Sequence, residues 1–370
     1  MRIEVRVSGN EEVSLNIPIQ ALRGLAVVLV VFYHSRLVFR GVFVGVDVFF
    51  VISGFLIASS VIREISRDQS FSKVLREFYL RRVTRLIPAL AVTTSVSVAI
   101  SFFVYSPYVE FQQVSVSALS ALLFVANGRF FLLNDYTSLA SDPFRHAWSL
   151  AVEEQFYLVF PIGVVATVLI FGRRRYLRTL FWLIVVLAIS SFVLNVLLSI
   201  GVRITPLPRR FGFFSPISRA WQIGVGVILS MVQESVKARF TRTTLARIVV
   251  VLGSLLIVSS ALKLDEFDDY PGVRAVVPVC GAVLVILGGL SVSDWRPSLI
   301  KLFQHLGDIS YSFYLVHWPL LVLARRIFSD TESISLLSIP AAYVLAWIQF
   351  RFVERRFWTP IRHSQGVPSP

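Results

Sequence analysis

The chain contains repeated apolar stretches, each close to the twenty residues that an α-helix needs to cross a bilayer. Eleven such runs are present: residues 20–39, 44–62, 86–105, 114–133, 150–171, 179–201, 216–232, 248–262, 273–290, 306–323 and 334–352. Mean hydropathy is +0.73 and only 16% of the residues are charged, so one water-soluble core cannot bury all the apolar side chains. The sequence therefore predicts an all-α, polytopic membrane protein.

The formal charge of +14 comes from basic residues that cluster between the apolar runs. The clearly basic loops are residues 63–85, 173–178, 237–247 and 351–362. Because cytoplasmic loops of membrane proteins carry such an excess, we expect these loops and both termini in the cytoplasm, and the acidic loop 265–269 outside. The basic excess thus indicates topology, and no nucleic-acid partner is expected.

One apolar run conflicts with this topology. If all eleven runs crossed, the basic residues 173–175 would lie outside the cell. The conflict disappears if run 114–133, interrupted by Asn127, Gly128, Arg129 and Asn134, enters the bilayer and returns to the same side. We predict ten crossings with a re-entrant segment from about Phe111 to Arg145, in one domain of residues 1–362 followed by a flexible tail of residues 363–370.

Ionisable residues inside the predicted spans are candidates for function, because each costs roughly 2.5 to 3.5 kcal/mol to insert. Arg23 and His34 are eleven residues apart, so a helix places them about 16 Å apart along its axis and on nearly the same face. Asp47 begins the next span, and Glu153 and Glu154 lie in the span that opens near residue 146. These residues predict a polar path through the bilayer.

A second polar stripe is predicted near the C-terminus. Ser310, Tyr314 and His317 follow i, i+4, i+7 spacing and so share one helix face. His146 and Glu153, seven residues apart, also share a face. The predicted topology places His34 and His317 in the outer half of the bilayer.

A basic cluster is predicted at the cytoplasmic end of the third run. Arg82 and Arg85 are three residues apart, and with Arg81 they can hold one anionic group through planar, multi-donor guanidinium groups. The sequence therefore predicts an anion site inside and a histidine and carboxylate site outside. Arg129 and Asp135 receive no role.

Each candidate also has a structural interpretation, which the sequence leaves open. His34 also fits a helix-packing histidine, and Asp47 an interfacial carboxylate. Glu153 and Glu154 fit a buried structural network, and His317 an interfacial residue beside a tryptophan. The three arginines of the cluster fit a loop that only sets topology.

Several reaction classes are excluded by motifs that the sequence lacks. It has no P-loop, HExxH, GxSxG or Cys/His cluster, which argues against nucleotide hydrolysis and zinc proteolysis. The single cysteine, Cys280, has no partner for a disulfide or thiolate metal site. We therefore expect no metal and no tightly bound cofactor.

The motifs together resemble the acyltransferase-3 family of bacterial integral-membrane O-acyltransferases over nearly the whole chain. They are the Arg-x10-His pair at Arg23 and His34, GVDVFFVISGFL at 45–56, RRVTRLIP at 81–88, HAWSLAVEEQFY at 146–157, SYSFYLVHWP at 310–319 and VERRF at 353–357. The resemblance implies transfer of an acyl group, usually acetyl, from cytoplasmic acyl-CoA to a hydroxyl of an extracytoplasmic glycan or glycolipid. It implies a multi-pass protein of the bacterial inner membrane.

The resemblance also assigns residues and partners. Arg23 and His34 match the essential motif of the family, and the cluster at 81–85 matches its coenzyme-A-side arginines. Some relatives carry a fused SGNH hydrolase-like domain. Since this chain stops at Pro370, we expect either a separate SGNH-type partner or direct transfer to the sugar. Acyl-CoA, the glycan acceptor and membrane lipids complete the expected partners.

The expected mechanism uses His34 as a general base, with Asp47 or Glu153 orienting its ring. Glu154 and His317 are further catalytic candidates, and the candidates for substrate or oxyanion binding are His146, Trp148, Ser149 and Tyr314. The same groups also fit a proton-coupled transporter or flippase, in which they would form a proton relay. A purely structural membrane subunit gives no reason for so many ionisable groups. The acceptor and the acyl group stay open.

Overall fold

The computed structural model describes residues 11–35, 41–67, 69–133, 142–201, 209–237, 243–265, 270–292, 295, 297–328 and 331–357. The tail predicted for residues 363–370, most of the acidic loop 265–269 and Asp135 lie outside the described residues. Within the described ranges, all regular secondary structure is helical.

The helices follow the predicted apolar runs closely. They are α1 Glu11–Ser35, α2 Gly45–Ser66, α3 Phe71–Val104, α4 Glu110–Leu122, α5 Ala126–Leu132, α6 Ala147–Phe171, α7 Tyr176–Ser199, α8 Arg209–Phe214, α9 Pro216–Lys237, α10 Thr243–Lys263, α11 Val276–Gly289, α12 Ser298–Asp308, α13 Ser310–Phe328 and α14 Glu332–Gln349. A π-helical turn, Phe350–Glu354, continues α14. Run 306–323 was expected to be continuous, but the helix breaks at Ile309 between α12 and α13.

Seven helices in the described ranges are long and apolar enough to span a bilayer: α1 from Ile17, α2, α3, α6, α7, α10 and α14 with its continuation. Many apolar side chains face outward, among them Phe103 at 84% and Leu169 at 68% exposure, as expected of surfaces that contact lipid. The chain is therefore a polytopic membrane protein that is helical throughout its regular structure in the described ranges. The ten crossings and the cytoplasmic termini stay predictions.

The prediction of a basic loop over residues 63–85 is wrong. α2 continues to Ser66 and α3 begins at Phe71, so all the arginines of this stretch except Arg67 lie on helices. Arginine is a good helix former, and its charge lowers hydropathy without breaking a helix. With 34 residues, α3 is about 51 Å long, and its N-terminal part extends beyond a hydrocarbon core of about 30 Å.

The fourth apolar run is divided into two short helices. α4 ends at Leu122 and α5 begins at Ala126, and Phe124 between them has a φ of 54°, which marks a turn. The break precedes Asn127, Gly128 and Arg129, which belong to α5, whereas the sequence predicted the interruption at these residues. The fourth predicted residue, Asn134, lies outside the described residues. The re-entrant path of residues 111–145 stays a prediction.

The described contacts divide the chain into two compact units. Unit 1 comprises Met1–Val30, Phe39–Val74 and Glu153–Asp308. Within it, α2 packs against α9, α9 against α7, and α10 against α11. A Cβ atom on Gly54 would lie 2.0 Å from the Ile223 carbonyl oxygen, and one on Gly226 would lie 2.1 Å from that of Val51. These two glycines therefore permit backbone contact between α2 and α9.

Unit 2 comprises Val31–Val38, Leu75–Val152 and Ile309–Pro370. Its central element is α13, which packs against α14 and is buried over most of its length. α14 begins after Thr331, whose hydroxyl oxygen accepts a hydrogen bond from the Ile334 N–H at 3.3 Å and caps the helix. α13 carries Ser310, Tyr314 and His317, all three of them buried.

Candidate active site

Unit 2 contains a histidine pair in which His317 is buried and His34 is partly buried. His34 lies near the C-terminus of α1, and its Nδ1 is 2.9 Å from Nε2 of His317 on α13. The two rings stack with their centroids 5.1 Å apart. The sequence predicted a carboxylate as the partner that orients the His34 ring. In the structure His317 lies at the Nδ1 position, and a carboxylate as the orienting group stays a prediction.

The hydrogen bonds around the pair fix which nitrogens carry protons. His317 Nδ1 lies 2.7 Å from the Tyr314 carbonyl oxygen and 3.1 Å from that of Phe313, and carbonyls only accept. His317 Nδ1 therefore carries a proton, and in the neutral form of that ring Nε2 accepts. In this form His34 Nδ1 donates to it, and a neutral His34 then has an unprotonated Nε2 that can accept a proton.

An aromatic side chain also packs against His34. Trp318, the residue after His317, packs on the His34 ring with centroids 4.4 Å apart. Its indole Nε1 donates to the Asp142 carbonyl oxygen at 2.8 Å. The Asp142 side chain accepts from the Ser117 hydroxyl at 2.5 Å and from the Phe144 N–H at 2.8 Å. The segment before α6 is thereby fixed next to the ring that contacts His34.

Arg129, which the sequence left without a role, completes this network. Its Nε donates to the Ser117 hydroxyl at 2.7 Å, and its terminal nitrogen donates to the side-chain and backbone oxygens of Gln113. Burial raises the pKa of the Asp142 carboxyl to about 6, while the Ser117 and Phe144 hydrogen bonds act in the opposite direction. α4 and α5 are thus joined to Asp142 by polar contacts.

A third histidine lies beside the pair. The ring of His146, just before α6, is 4% exposed and has its centroid 5.6 Å from that of His317 and 5.4 Å from that of Tyr314. Neither ring nitrogen makes a hydrogen bond of standard geometry among the described residues, although the backbone carbonyls of Pro143 and Leu315 lie near the ring. A buried polar ring whose nitrogens make no standard hydrogen bond is suited to contact a substrate group.

The hydroxyl groups predicted to stabilise an oxyanion are engaged with each other. Tyr314 donates to the His146 carbonyl oxygen at 2.6 Å, and the Ser149 hydroxyl lies 2.6 Å from the Tyr314 hydroxyl. Since Tyr314 has used its hydrogen on the carbonyl, Ser149 is the donor in the second bond. Trp148, the fourth candidate, is 7% exposed on α6. The pair of hydroxyls therefore braces the turn that carries His146.

Unit 1 holds the other acidic candidates. Asp47 and Arg219 are each 1% exposed and form an ion pair at 3.0 Å. The Asp47 carboxylate also accepts from Gln222 and from the Tyr270 hydroxyl. Arg219 further donates from Nε to the Phe213 carbonyl oxygen at 3.1 Å. Both carboxylate oxygens of Asp47 are thus engaged in a buried network.

Glu153 has neutral hydroxyl partners in unit 1. Its carboxylate accepts from Ser53 at 2.9 Å and from Tyr157, one helical turn further along α6, at 3.3 Å. Glu154 follows it on α6 and is partly buried. Arg23 donates to the Gln20 side chain at 3.3 Å on α1, the helix that also carries His34.

The arginine cluster lies on α3 in unit 2. Arg81 pairs with Glu77 one turn earlier at 3.8 Å, and Arg85 pairs with the buried Glu354 at 3.9 Å. Arg82 is partly exposed beside them. The side chains of Arg81 and Arg85 are 25% and 22% exposed, so both are within reach of an anion from solvent.

The sequence interpretation gave no role to three charged residues that the structure places in networks, although the family motif at 353–357 contains one of them, Glu354. Arg219 lies inside the apolar run 216–232, and the rule that flags charges within spans identifies it. Asp142 lies outside the apolar runs, and Glu354 lies just past the last of them. Burial of these two depends on distant segments, so the sequence carries no local signal for it.

Fold and site together define an integral membrane protein with a hydrogen-bonded pair of histidines, one buried and one partly buried. The Acyltransferase domain family, acyltransferase-3, matches residues 16–350, and the chain therefore belongs to this family of acyltransferases. The family predicted from the sequence motifs is confirmed.

Two bacterial O-acetyltransferases resemble the chain over most of its length. The peptidoglycan O-acetyltransferase OatA of Listeria monocytogenes is 29% identical over 368 residues, covering 94% of this chain and 56% of the relative. The O-acetyltransferase OatA of Staphylococcus aureus is 28% identical over 358 residues, covering 93% and 57%. The chain thus spans a little over half the length of these relatives. No solved structure matches it.

Proposed function

We propose that this protein is a membrane O-acyltransferase that moves an acyl group, acetyl in the first instance, from cytoplasmic acyl-CoA to a hydroxyl of an extracytoplasmic cell-envelope glycan. The observation that carries the proposal is the His34 and His317 pair at 2.9 Å. Its tautomers leave an unprotonated nitrogen on the histidine of the Arg-x10-His motif. Membership of the acyltransferase family supports the reaction class.

His34 acts as the general base in this proposal. Its Nε2 accepts the proton of the acceptor hydroxyl as the oxygen attacks the thioester carbonyl carbon. The His34 ring then carries a positive charge, which its Nδ1–H shares through the hydrogen bond to His317. His317 is held by the Tyr314 carbonyl, so the pair stays oriented during proton transfer.

His146 supplies the hydrogen bond to the developing oxyanion. Because Ser149 and Tyr314 have donated their hydrogens, the ring N–H of His146 is the donor near the pair that has no standard partner among the described residues. A preorganised donor of this kind in a dry site stabilises the tetrahedral intermediate. When that intermediate collapses, the carbon–sulfur bond breaks, the ester oxygen keeps the acyl group and the thiolate takes the proton from His34.

Basic residues hold the donor. Coenzyme A carries phosphates that cannot enter the hydrocarbon core, and Arg81, Arg82 and Arg85 on α3 provide guanidinium groups suited to them. Arg23 lies on α1 eleven residues before His34, and we assign it to the passage of the donor toward the base. The donor is a substrate, and no tightly bound cofactor is proposed.

The named relatives suggest the acceptor. Because the Listeria relative is a peptidoglycan O-acetyltransferase, we propose peptidoglycan as the first glycan to test. Transfer through a separate SGNH-type partner, and the bacterial inner membrane as the location, stay part of the proposal. Asp47 is assigned to the buried ion-pair network, the structural alternative that the sequence left open.

The test uses the full chain, purified and reconstituted into vesicles with acetyl-CoA inside and a glycan acceptor outside. We expect acceptor-dependent release of free thiol and acetylated glycan, detected by mass spectrometry. His34→Ala and Arg23→Ala should lower the rate by about 10²- to 10⁴-fold, the range for loss of acid–base catalysis.

The matched control is His305→Ala, since His305 is exposed on α12. This variant should retain the wild-type rate. Wild-type activity in the His34 variant would remove the base assignment. Movement of unmodified substrate across the vesicle without consumption of acetyl-CoA would replace the proposal with a transporter or flippase.

A further inference from the structure

Glu354 is a buried carboxylate for which the proposed mechanism has no use. It is 1% exposed and ends the π-helical turn Phe350–Glu354, in the segment 353–357 that the family resemblance singled out. Its Oε2 accepts from the Ser312 hydroxyl at 2.9 Å, and its Oε1 lies 3.9 Å from Nε of Arg85. π-Helical turns occur frequently at functional sites because they shift the register of the side chains that follow.

The helices around this carboxylate are joined by polar contacts. The Tyr311 hydroxyl donates to the Leu86 carbonyl oxygen at 2.9 Å, so α13 is fixed to α3 one residue after Arg85. Thr93 donates to the Gln349 side-chain oxygen at 2.9 Å, and the Gln349 amide donates to the Ala89 carbonyl oxygen at 3.2 Å. The end of α14 is thus fixed to the same stretch of α3.

This arrangement holds Glu354 at one place relative to Arg85. An isolated buried carboxylate is costly, and a nearby guanidinium with a hydroxyl donor compensates for it. The ion pair engages the Nε side of Arg85, whose side chain is 22% exposed. Glu354 therefore bears on the orientation of a guanidinium group that solvent can still reach.

We propose that Glu354 is a positioning residue that sets the direction of the Arg85 guanidinium, and through it the recognition of a phosphate group on the acyl donor. This inference rests on the proposed function and deepens it, because it names the carboxylate that organises donor binding. A planar guanidinium binds phosphate well only when its N–H groups face the anion. Loss of the carboxylate therefore weakens donor binding and leaves the histidine chemistry unchanged.

The experiment measures steady-state kinetics of the full chain in vesicles, with acetyl-CoA as the varied substrate. Glu354→Gln should raise the KM for acetyl-CoA about tenfold and change kcat less than about twofold. Glu354→Asp, which keeps the charge, should give a smaller increase. The matched control is Glu332→Gln on the same helix element, because Glu332 is exposed, and its KM should equal that of wild type.

A double-mutant cycle separates positioning from a structural role. If Glu354 acts through Arg85, the KM of the Glu354→Gln, Arg85→Gln double variant should equal that of Arg85→Gln alone. Multiplicative effects of the two substitutions, or a loss of kcat with unchanged KM, would overturn the inference. If wild type consumes acetyl-CoA and Glu354→Gln binds it normally, the inference alone fails. If wild type consumes none, the proposed function fails and the inference with it.

Discussion

His34 and His317 are 283 positions apart in the sequence, yet their ring nitrogens Nδ1 and Nε2 are 2.9 Å apart. The contact replaces the carboxylate that orients the base in many acyl-transfer sites with a second neutral imidazole. A neutral partner adds no charge to a buried site, while its lone pair still fixes the tautomer of the base. The proposed reaction depends on this one hydrogen bond.

We expect His317→Leu to lower kcat about 10²-fold, because the His34 ring loses the acceptor that fixes its tautomer. The KM for acetyl-CoA should change less than twofold, since the arginines of α3 are untouched. His317→Gln offers a side-chain oxygen as acceptor and should recover part of the lost rate. Thiol release in reconstituted vesicles measures both constants. Equal rates for the Leu and Gln variants would contradict a role for the acceptor.

We expect His146→Phe to lower kcat about 10²- to 10³-fold, the cost of removing one donor to an oxyanion. The substitution keeps an aromatic ring of similar size in a site that is 4% exposed, so the fold should be retained. His146→Asn should restore part of the rate because its amide can donate. Ser149→Ala provides the comparison, and a loss as large as that of His146→Phe would shift the donor role to the hydroxyl pair.

The Asp142 carboxyl predicts a dependence of stability on pH. Its pKa is raised by burial from 3.8 to about 6, so between these values the folded chain binds more protons than the unfolded chain. The protonated acid therefore contributes stability that is fully present below about pH 4 and is lost as pH rises through about 6. The total loss in the free energy of unfolding is on the order of 3 kcal/mol. Asp142→Asn, which does not titrate, should gain stability relative to wild type over this interval. The test measures the unfolding temperatures of wild type and Asp142→Asn in detergent at pH 4.5 and pH 7. If the two proteins differ by the same amount at both pH values, the prediction is contradicted.

Because α2 and α9 are in close contact, adding one methyl group between them should lower stability. Gly226→Ala places a Cβ atom 2.1 Å from the Val51 carbonyl oxygen, so the helices must separate, at a cost of about 1–3 kcal/mol in the free energy of unfolding. Gly163→Ala on α6 is the matched control, because no atom lies within 4 Å of its added methyl group. That variant should equal or slightly exceed wild type, since alanine favours helix. Equal unfolding temperatures for the two variants would refute the contact.

Local patterns in the sequence predict the helices well, but they predict poorly which side chains contact each other. Apolar length identifies α2, α6 and α7 because a bilayer imposes one thickness on every span. The same criterion fails at residues 63–85, where arginines lower hydropathy but continue the helix. His34 and Arg85 were identified as candidates from their chemistry, but their partners His317 and Glu354 depend on packing between segments far apart in the chain. The family resemblance places those partners within motifs without saying which side chains they contact.

Asp47 and Arg219 form an ion pair in which each side chain is 1% exposed. Breaking this pair should lower the free energy of unfolding more than removing a charge from the surface does. Asp47→Asn should lower the free energy of unfolding by about 3–5 kcal/mol, because it leaves the Arg219 guanidinium buried without its counter-charge. Adding Arg219→Gln should cost less than the sum of the two single substitutions, since both charges are then removed. Thermal unfolding of the four proteins measures this coupling. If Asp47→Asn instead leaves stability unchanged and abolishes acetyl transfer, Asp47 returns to the catalytic group.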